Sequence, residues 1–328
     1  MKTIADIAQL SGVAKSTVSR YLNGGSVSEQ TKKKIEHVIN ETGYVPNTFA
    51  QSLKAKKTNI IGTIVPRLDS FASSQILIGI DEQLRDLNYQ MLISNTSQDL
   101  EREIENIYSL YNQKVAGIIL LATQITYAHL EAFNQIKLPV ILVGQQHDKV
   151  YSLIHNDESA GYDIGKYVLE KGHRKIAYLG VTENDIAVGL KRKEGFKSAI
   201  SEMKNCEVRY YKTSFRMEDA VGITSDIIDT FDPSILVCAT DNIALGALKA
   251  ANLKGIRVPS DLSITGFGGY QVTEMTHPSL TTIKFYYKDA GRRAADGLIK
   301  LVKGEEIPSI ILSSYQIIER ESVDNKFK

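Results

Sequence analysis

Lys15, Ser16, Thr17, Ser19 and Arg20 fall within six consecutive residues, and no acid stands among them. Cations neutralise phosphate charge, and short hydroxyls donate to phosphate oxygens or to base edges. A helix over Lys15–Leu22 turns these five outward and leaves Val18, Tyr21 and Leu22 to pack inward. The chemistry that suits such a face is contact with duplex DNA.

The remaining sequence offers no catalytic signature. It has no G-x-x-x-x-G-K-[ST] phosphate loop, and Gly266-Phe267-Gly268-Gly269 lacks the G-x-G-x-x-G spacing of a dinucleotide site. No serine sits in a G-x-S-x-G elbow. The six histidines (His37, His129, His147, His155, His173 and His277) show no metal-ligand spacing. Cys206 and Cys238 are too few for a disulfide framework or a cysteine zinc site. Asp241-Asn242 reads equally as a helix N-cap and as a catalytic acid. The main enzyme alternative is a two-lobed sugar kinase carrying a DNA-binding head. It would need a phosphate-gripping glycine loop, which the sequence lacks. No cofactor and no metal are expected.

Three short helices must position the Lys15–Arg20 face. Thr3 followed by Asp6 is a capping-box start for a first helix, and Gly12 suits the turn that ends it. Ser28 caps a third helix, Glu29–Thr42, that buries Ile35, Val38 and Ile39. The spacing Ala8, Gly12, Val18 predicts a helix-turn-helix, whose second helix enters the major groove. A helical bundle with no nucleic-acid role is the alternative, and the acid-free outward face argues against it. Charge agrees: residues 1–58 hold nine Lys/Arg against four acids, a surplus of five, while the whole chain of 328 residues nets only +1.

From Asn59 onward, ten apolar runs from Ile60–Val65 to Ser279–Phe285 alternate with helical stretches. Examples of the latter are Ser74–Asn88, Ser159–Lys171, Gly189–Met203 and Tyr287–Lys303. Alternating βα units predict parallel sheets covered on both faces, here two doubly wound lobes. Ligands in such folds bind beyond the carboxyl ends of the strands, so a cleft between two lobes suits a small molecule. No apolar run reaches 18 residues, and MKTIADIAQL lacks the apolar core of a secretory signal. No membrane association and a cytoplasmic location are expected.

The segment TIADIAQLSGVAKSTVSRYLNGGSVSEQTKKKIEHVINETGYVPNTFAQSLKAKKTNIIG, residues 3–62, resembles the headpiece and hinge of the lactose/galactose repressor (LacI) family. The resemblance implies a helix-turn-helix domain over 1–46, a hinge helix and linker over 47–58, and an effector-binding and dimerisation core over 59–328. It implies base reading by Lys15, Ser16 and Arg20 and phosphate contact by Thr17 and Ser19. It also implies that Leu53 wedges into the minor groove at the operator centre. Ala14 departs from the family, which usually places a serine there, and costs a helix cap. GYDIGKYVLEKGHRKIAYLG, RKEGF, CATDNIALGALKA and SLTTIK resemble blocks of the family's core, which has the periplasmic-binding-protein fold of type I. That implies one lobe of about 59–156 and 287–315, and a second of about 157–286 and 316–328.

By the same resemblance the effector site draws on Ser70, Phe71 and Ser73 after the first body strand, and on His155. It draws also on Arg192, four residues before Phe196, and on Phe215, Asp241, Phe285 and Tyr287. A guanidinium fork suits vicinal hydroxyls, and an aromatic ring suits a sugar's C–H face. Gly268-Gly269 stands where many members have an acid. Losing that carboxylate would ease the approach of a sugar phosphate. ITGFGGY and TTIKFYY resemble the members that govern sucrose operons. The expected partners are therefore a palindromic operator read by a homodimer and a sugar or sugar-phosphate effector. A global catabolite regulator answering to a phosphorylated carrier protein is the alternative within the family. No leucine heptad follows Arg320, so no tetramerising coiled coil is expected.

Overall fold

The computed structural model describes residues 2–22, 25–44 and 58–327. The chain divides into two compact units, Met1–Thr58 and Asn59–Lys328.

In the first unit, α1 (Ile4–Ser11) begins with the expected reciprocal cap. The Asp6 N–H donates to Thr3 Oγ1 across 3.3 Å, and the Thr3 N–H donates to the Asp6 carboxylate across 2.7 Å. Gly12, at φ +65°, ends the helix. The second helix, α2, spans Lys15–Leu22, and the third, α3, spans Glu29–Thr42 behind the Ser28 cap. Ile7, Ala8, Val18, Ile35 and Val38 form the small buried core where the three helices meet. Tyr21 Oη donates to Glu36 across 2.8 Å and ties α2 to α3. Ala14 supplies only its carbonyl, which accepts from the Thr17 and Val18 N–H groups.

The second unit holds two six-stranded sheets. The first contains β1 (Ile60–Val65), β2 (Gln90–Asn95), β3 (Gly117–Leu121), β4 (Val140–Val143), β5 (Tyr151–His155) and β11 (Ile310–Ser313). Its order is β11-β5-β4-β3-β1-β2, parallel throughout. The second contains β6 (Lys175–Gly180), β7 (Glu207–Lys212), β8 (Ile235–Cys238), β9 (Ser263–Gly268), β10 (Thr281–Phe285) and β12 (Tyr315–Ile318). Its order is β12-β10-β9-β8-β6-β7, with β12 alone antiparallel. Helices α4 (Phe71–Asp86), α5 (Leu100–Asn112), α6 (Tyr127–Ile136) and α11 (Tyr287–Val302) serve the first lobe. Helices α7 (Asp157–Glu170), α8 (Arg192–Ser201), α9 (Met217–Phe231) and α10 (Asp241–Leu253) serve the second. The two doubly wound lobes are those expected, because runs such as β3 and β4 are apolar at every position and buried on both faces.

Three elements depart from the expectation. A π-helix (Ile186–Lys191) leads into α8 where one continuous helix was expected. Helix α6 carries His129 at its third position instead of Glu or Gln. The short strands β11 and β12 lie in different sheets with only Ser314 between them. Tyr315 therefore belongs to the second lobe, paired with Phe285, one residue earlier than the resemblance implied. The chain thus passes between lobes three times, at Asn156, Tyr286 and Ser314.

Helices α7 and α8 cross almost backbone to backbone. A Cβ on Gly161 would stand 2.1 Å from the Arg192 carbonyl oxygen, and one on Gly195 would stand 1.8 Å from that of Glu158. Only glycine permits this approach, and it fixes Arg192 beside the first turn of α7.

Candidate nucleic-acid interface and ligand cavity

In the first unit Val18 is fully buried and anchors α2. Lys15, Ser16 and Arg20 are exposed, and Thr17 and Ser19 are partly so. The helix therefore presents two cations and three hydroxyls, with no acid in its sequence. The Gly25 N–H donates to the Arg20 carbonyl across 2.8 Å, closing the end of α2. Leu53 lies outside the described residues.

In the second unit a cavity opens between the lobes. Each strand that ends there sends a residue into its wall: Arg67 beyond β1, Gln98 beyond β2, Thr123 beyond β3, Gln145 beyond β4 and Asp157 beyond β5. The second lobe adds Asp185, Phe215, Thr240 and Tyr270, and Tyr287 follows β10. Ser70, Ser73, His155 and Arg192 complete the wall. This is the position where open α/β sheets hold ligands.

Arg192 is the charged centre of the wall. Its Nε donates to Asp157 Oδ1 across 2.8 Å, and its Nη1 donates to the Ala239 carbonyl across 2.7 Å. The rings of Phe267 and Phe285 flank the guanidinium, with centroids 5.1 and 4.8 Å from its carbon. Both partners of the ion pair are buried. Burial raises the Asp157 pKa, opposed by the Arg192 charge. The Tyr287 hydroxyl also lies within hydrogen-bond reach of the guanidinium.

His155 is 8% exposed, and neither ring nitrogen has a hydrogen-bond partner. Phe285 and Tyr287 pack against it, at centroid distances of 5.3 and 5.0 Å. Burial, helped by the Arg192 charge, pulls its pKa down to about 3, so the ring is neutral with one donor and one acceptor. Buried polar atoms of this kind normally have partners, and a ligand hydroxyl would supply them. Asp185 caps the π-helix by accepting the Val188 N–H across 2.9 Å, and burial raises its pKa. Ser70 caps α4 by accepting the Ser73 N–H across 3.3 Å. The Arg67 guanidinium donates to Asp69 and lies over Phe215, 5.5 Å from the ring centroid, joining the lobes.

Three residues expected at the site do not line the cavity. Asp241 is fully buried behind it, accepting from Thr282 Oγ1 across 2.6 Å and from the Tyr270 N–H across 2.7 Å. Burial pushes its pKa up to about 6, against those two hydrogen bonds. Phe71 turns away to stack on Tyr270, and Phe285 supports Arg192 and His155 from the core side. The glycines expected to ease a ligand's approach do something else. Gly268 and Gly269 adopt φ of +139° and +69°, and a Cβ on Gly268 would stand 2.3 Å from the Tyr270 ring. They let Tyr270 fold back into the wall. Nor is the cavity free of carboxylates, since Asp157 and Asp185 line it.

The sequence reading missed Arg67, Gln98, Gln145, Asp157, Asp185 and Tyr270. Their common signal was available: each follows the carboxyl end of a strand-like run. Among the described residues, no group of three His, Cys, Asp or Glu side chains is placed to hold a metal ion, and no helix is long and apolar enough to cross a membrane.

The model of the bacterial regulatory proteins of the lacI family matches residues 3–47, and that of the periplasmic binding protein-like domain matches residues 166–323. The sucrose operon repressor of Staphylococcus xylosus is 42% identical over 95% of this chain and 97% of its own length. The chain belongs to the LacI family. Another relative, catabolite control protein A of Priestia megaterium, is 28% identical over 97% of both chains. The fold is shared with a crystal structure of the lac repressor dimer bound to operator and the anti-inducer ONPF, with a TM-score of 0.91 and 24% identity. That likeness covers 98% of this chain and 99% of the other. As a LacI-family protein the chain is a DNA-binding transcriptional regulator and not an enzyme.

Proposed function

We propose that this regulator represses a sucrose-utilisation operon in the cytoplasm and leaves its operator when a sugar or sugar phosphate fills the interlobe cavity. The 42% identity to a sucrose operon repressor, over 95% of this chain, is the observation that carries the reading. On this reading residues 1–46 form the DNA-binding domain, residues 47–58 the hinge, and residues 59–328 the effector-binding core. Lys15, Ser16 and Arg20 read base edges, while Thr17 and Ser19 hold phosphates. Leu53 wedges into the central step of a palindrome bound by a homodimer. The cavity supplies what a polyhydroxylated ring needs. Arg192 and His155 offer donors, Ser70 and Ser73 frame the α4 end, and Phe215 and Tyr287 are aromatic walls. Phe71, Asp241 and Phe285 act from behind as supports. A ligand acts only through its differential affinity for two lobe arrangements, so a tenfold change in operator affinity needs about 1.4 kcal/mol of coupling.

An operator titration in the presence of candidate sugars tests this. Fructose, sucrose or a phosphate ester of either should release wild-type protein and fail to release Arg192→Ala. Release of both at one concentration would remove Arg192 from the site. A global catabolite regulator is the second reading, resting on the 28% identity to catabolite control protein A. In that case a phosphorylated carrier protein, and not a sugar, would change the affinity.

A further inference from the structure

Four charged side chains line the cavity: Arg67, Arg192, Asp157 and Asp185. Neither arginine is uncommitted. Arg67 is held by Asp69 through two hydrogen bonds of 2.9 and 3.2 Å. Arg192 is held by Asp157 across 2.8 Å, with both partners buried in the wall. Asp185 is different, because no cation among the described residues comes within 4 Å of its carboxylate. Its carboxylate takes backbone N–H groups, that of Val188 at Oδ1 and that of Ala187. With Arg67 spent on Asp69 and Arg192 on Asp157, Asp185 is the carboxylate of the wall, among the described residues, with no cation paired to it. The N-terminus of α4 beside it is already capped by Ser70.

The uncharged groups are matched to hydroxyls. His155 brings two unpartnered, buried nitrogens. A sugar O–H can donate to one and accept from the other. A carboxylate accepts strongly from hydroxyl donors, whereas a phosphate brings only like charge to it, in a setting where water screens poorly. We propose that the cavity selects an uncharged, unphosphorylated sugar, and that Asp185 is the residue that makes the selection. Its carboxylate accepts from ligand hydroxyls and repels a phosphate ester. This rests on the reading of the cavity as the effector site.

Calorimetric titration of the full-length protein with sucrose, fructose and the 6-phosphate of each tests the assignment. At least one uncharged sugar should bind ten times or more tightly than its own phosphate ester. Asp185→Asn, which retains an oxygen to cap the π-helix, should shrink that preference at least tenfold with an unchanged melting temperature in the absence of ligand. An ester that binds more tightly than its parent sugar would overturn the proposal. So would an Asp185→Asn protein that discriminates as wild type does. If an ester binds tightly and Arg192→Ala abolishes the binding, the cavity remains the effector site and only the selection by Asp185 is refuted. If no sugar and no ester binds, the proposal and the effector reading fall together.

Discussion

Tyr270 of the second lobe lies against Phe71 of the first, with ring centroids 4.2 Å apart and ring planes tilted by 34°. Tyr270 also lines the cavity, so the stack closes one side of the ligand's space with a contact that exists only while the lobes are together. An aromatic pair adds about 0.5–1.5 kcal/mol beyond its burial. Tyr270→Ala should therefore weaken effector binding about three- to tenfold, chiefly through faster dissociation, while operator affinity without effector is unchanged. Stopped-flow release of a bound sugar checks this, and a wild-type off-rate would deny Tyr270 a part in closure.

Arg192 and Asp157 are both buried and mutually dependent. Removing one partner leaves a buried charge unpaired, which typically costs about 3–5 kcal/mol. Arg192→Ala should lose roughly that much in urea unfolding of the core, and adding Asp157→Asn should restore part of it. Equal stabilities of the single and double variants would mean that Asp157 finds another partner or sheds its charge.

The buried titratable groups oppose each other in their pH dependence. Asp241 rises to about 6 from an ordinary value of 3.8. The folded state therefore holds its proton more tightly than the unfolded chain does. The stability this contributes is complete below about pH 4 and lost as the pH rises through 6. His155 runs the other way, from 6.5 down to about 3, so its contribution is present above pH 6.5 and lost on acidification. Asp241→Asn removes only the first effect, which amounts to roughly 3 kcal/mol. Between pH 4 and 6 the variant's stability should climb with pH more steeply than that of the wild type. Parallel unfolding curves would show that Asp241 titrates alike in both states.

Arg20 stands exposed in the last turn of α2 with a long donor fork. Arg20→Ala should cost about 1–3 kcal/mol on the specific operator and relax preference at one base position. Binding assays on a set of single-base operator variants decide the point. A uniform loss across all of them would make Arg20 a phosphate contact.

Much of this architecture was legible before any coordinates. The Thr3–Asp6 cap, the Gly12 turn and the Ser28 cap are local chemistry, and each formed where the residues placed it. The alternation of apolar runs and helical stretches announced the two lobes. Strands β11 and β12 were not legible, because each is four residues long and they are separated only by Ser314. Helix α6 hid behind an unusual start, in which the Thr126 N–H donates to His129 Nδ1 instead of to a glutamate. The site was half legible. Arg192, His155, Phe215 and Tyr287 came through the resemblance, and all line the cavity. Asp157 and Asp185 were missed because their roles come from crossovers that bring separate strand ends together. Their place after a strand-like run is local, but which strand ends meet across the cleft is not. Asp241 and Phe285 were read as facing a ligand, but at a strand end one residue's register decides between cavity and core.

The three passages between lobes also govern how this chain is made. Strand β11 completes the first sheet by pairing with β5, yet five of the second lobe's six strands are synthesised between them. Helix α11, which covers that first sheet, is likewise translated after most of the second lobe. A nascent first lobe leaving the ribosome therefore carries an unpaired β5 edge and an uncovered apolar face, the features that invite aggregation. The second lobe needs β12, near the end of the sequence. Neither lobe is finished until residues 310–318 emerge, so a premature stop before that point leaves two incomplete sheets and not one intact lobe.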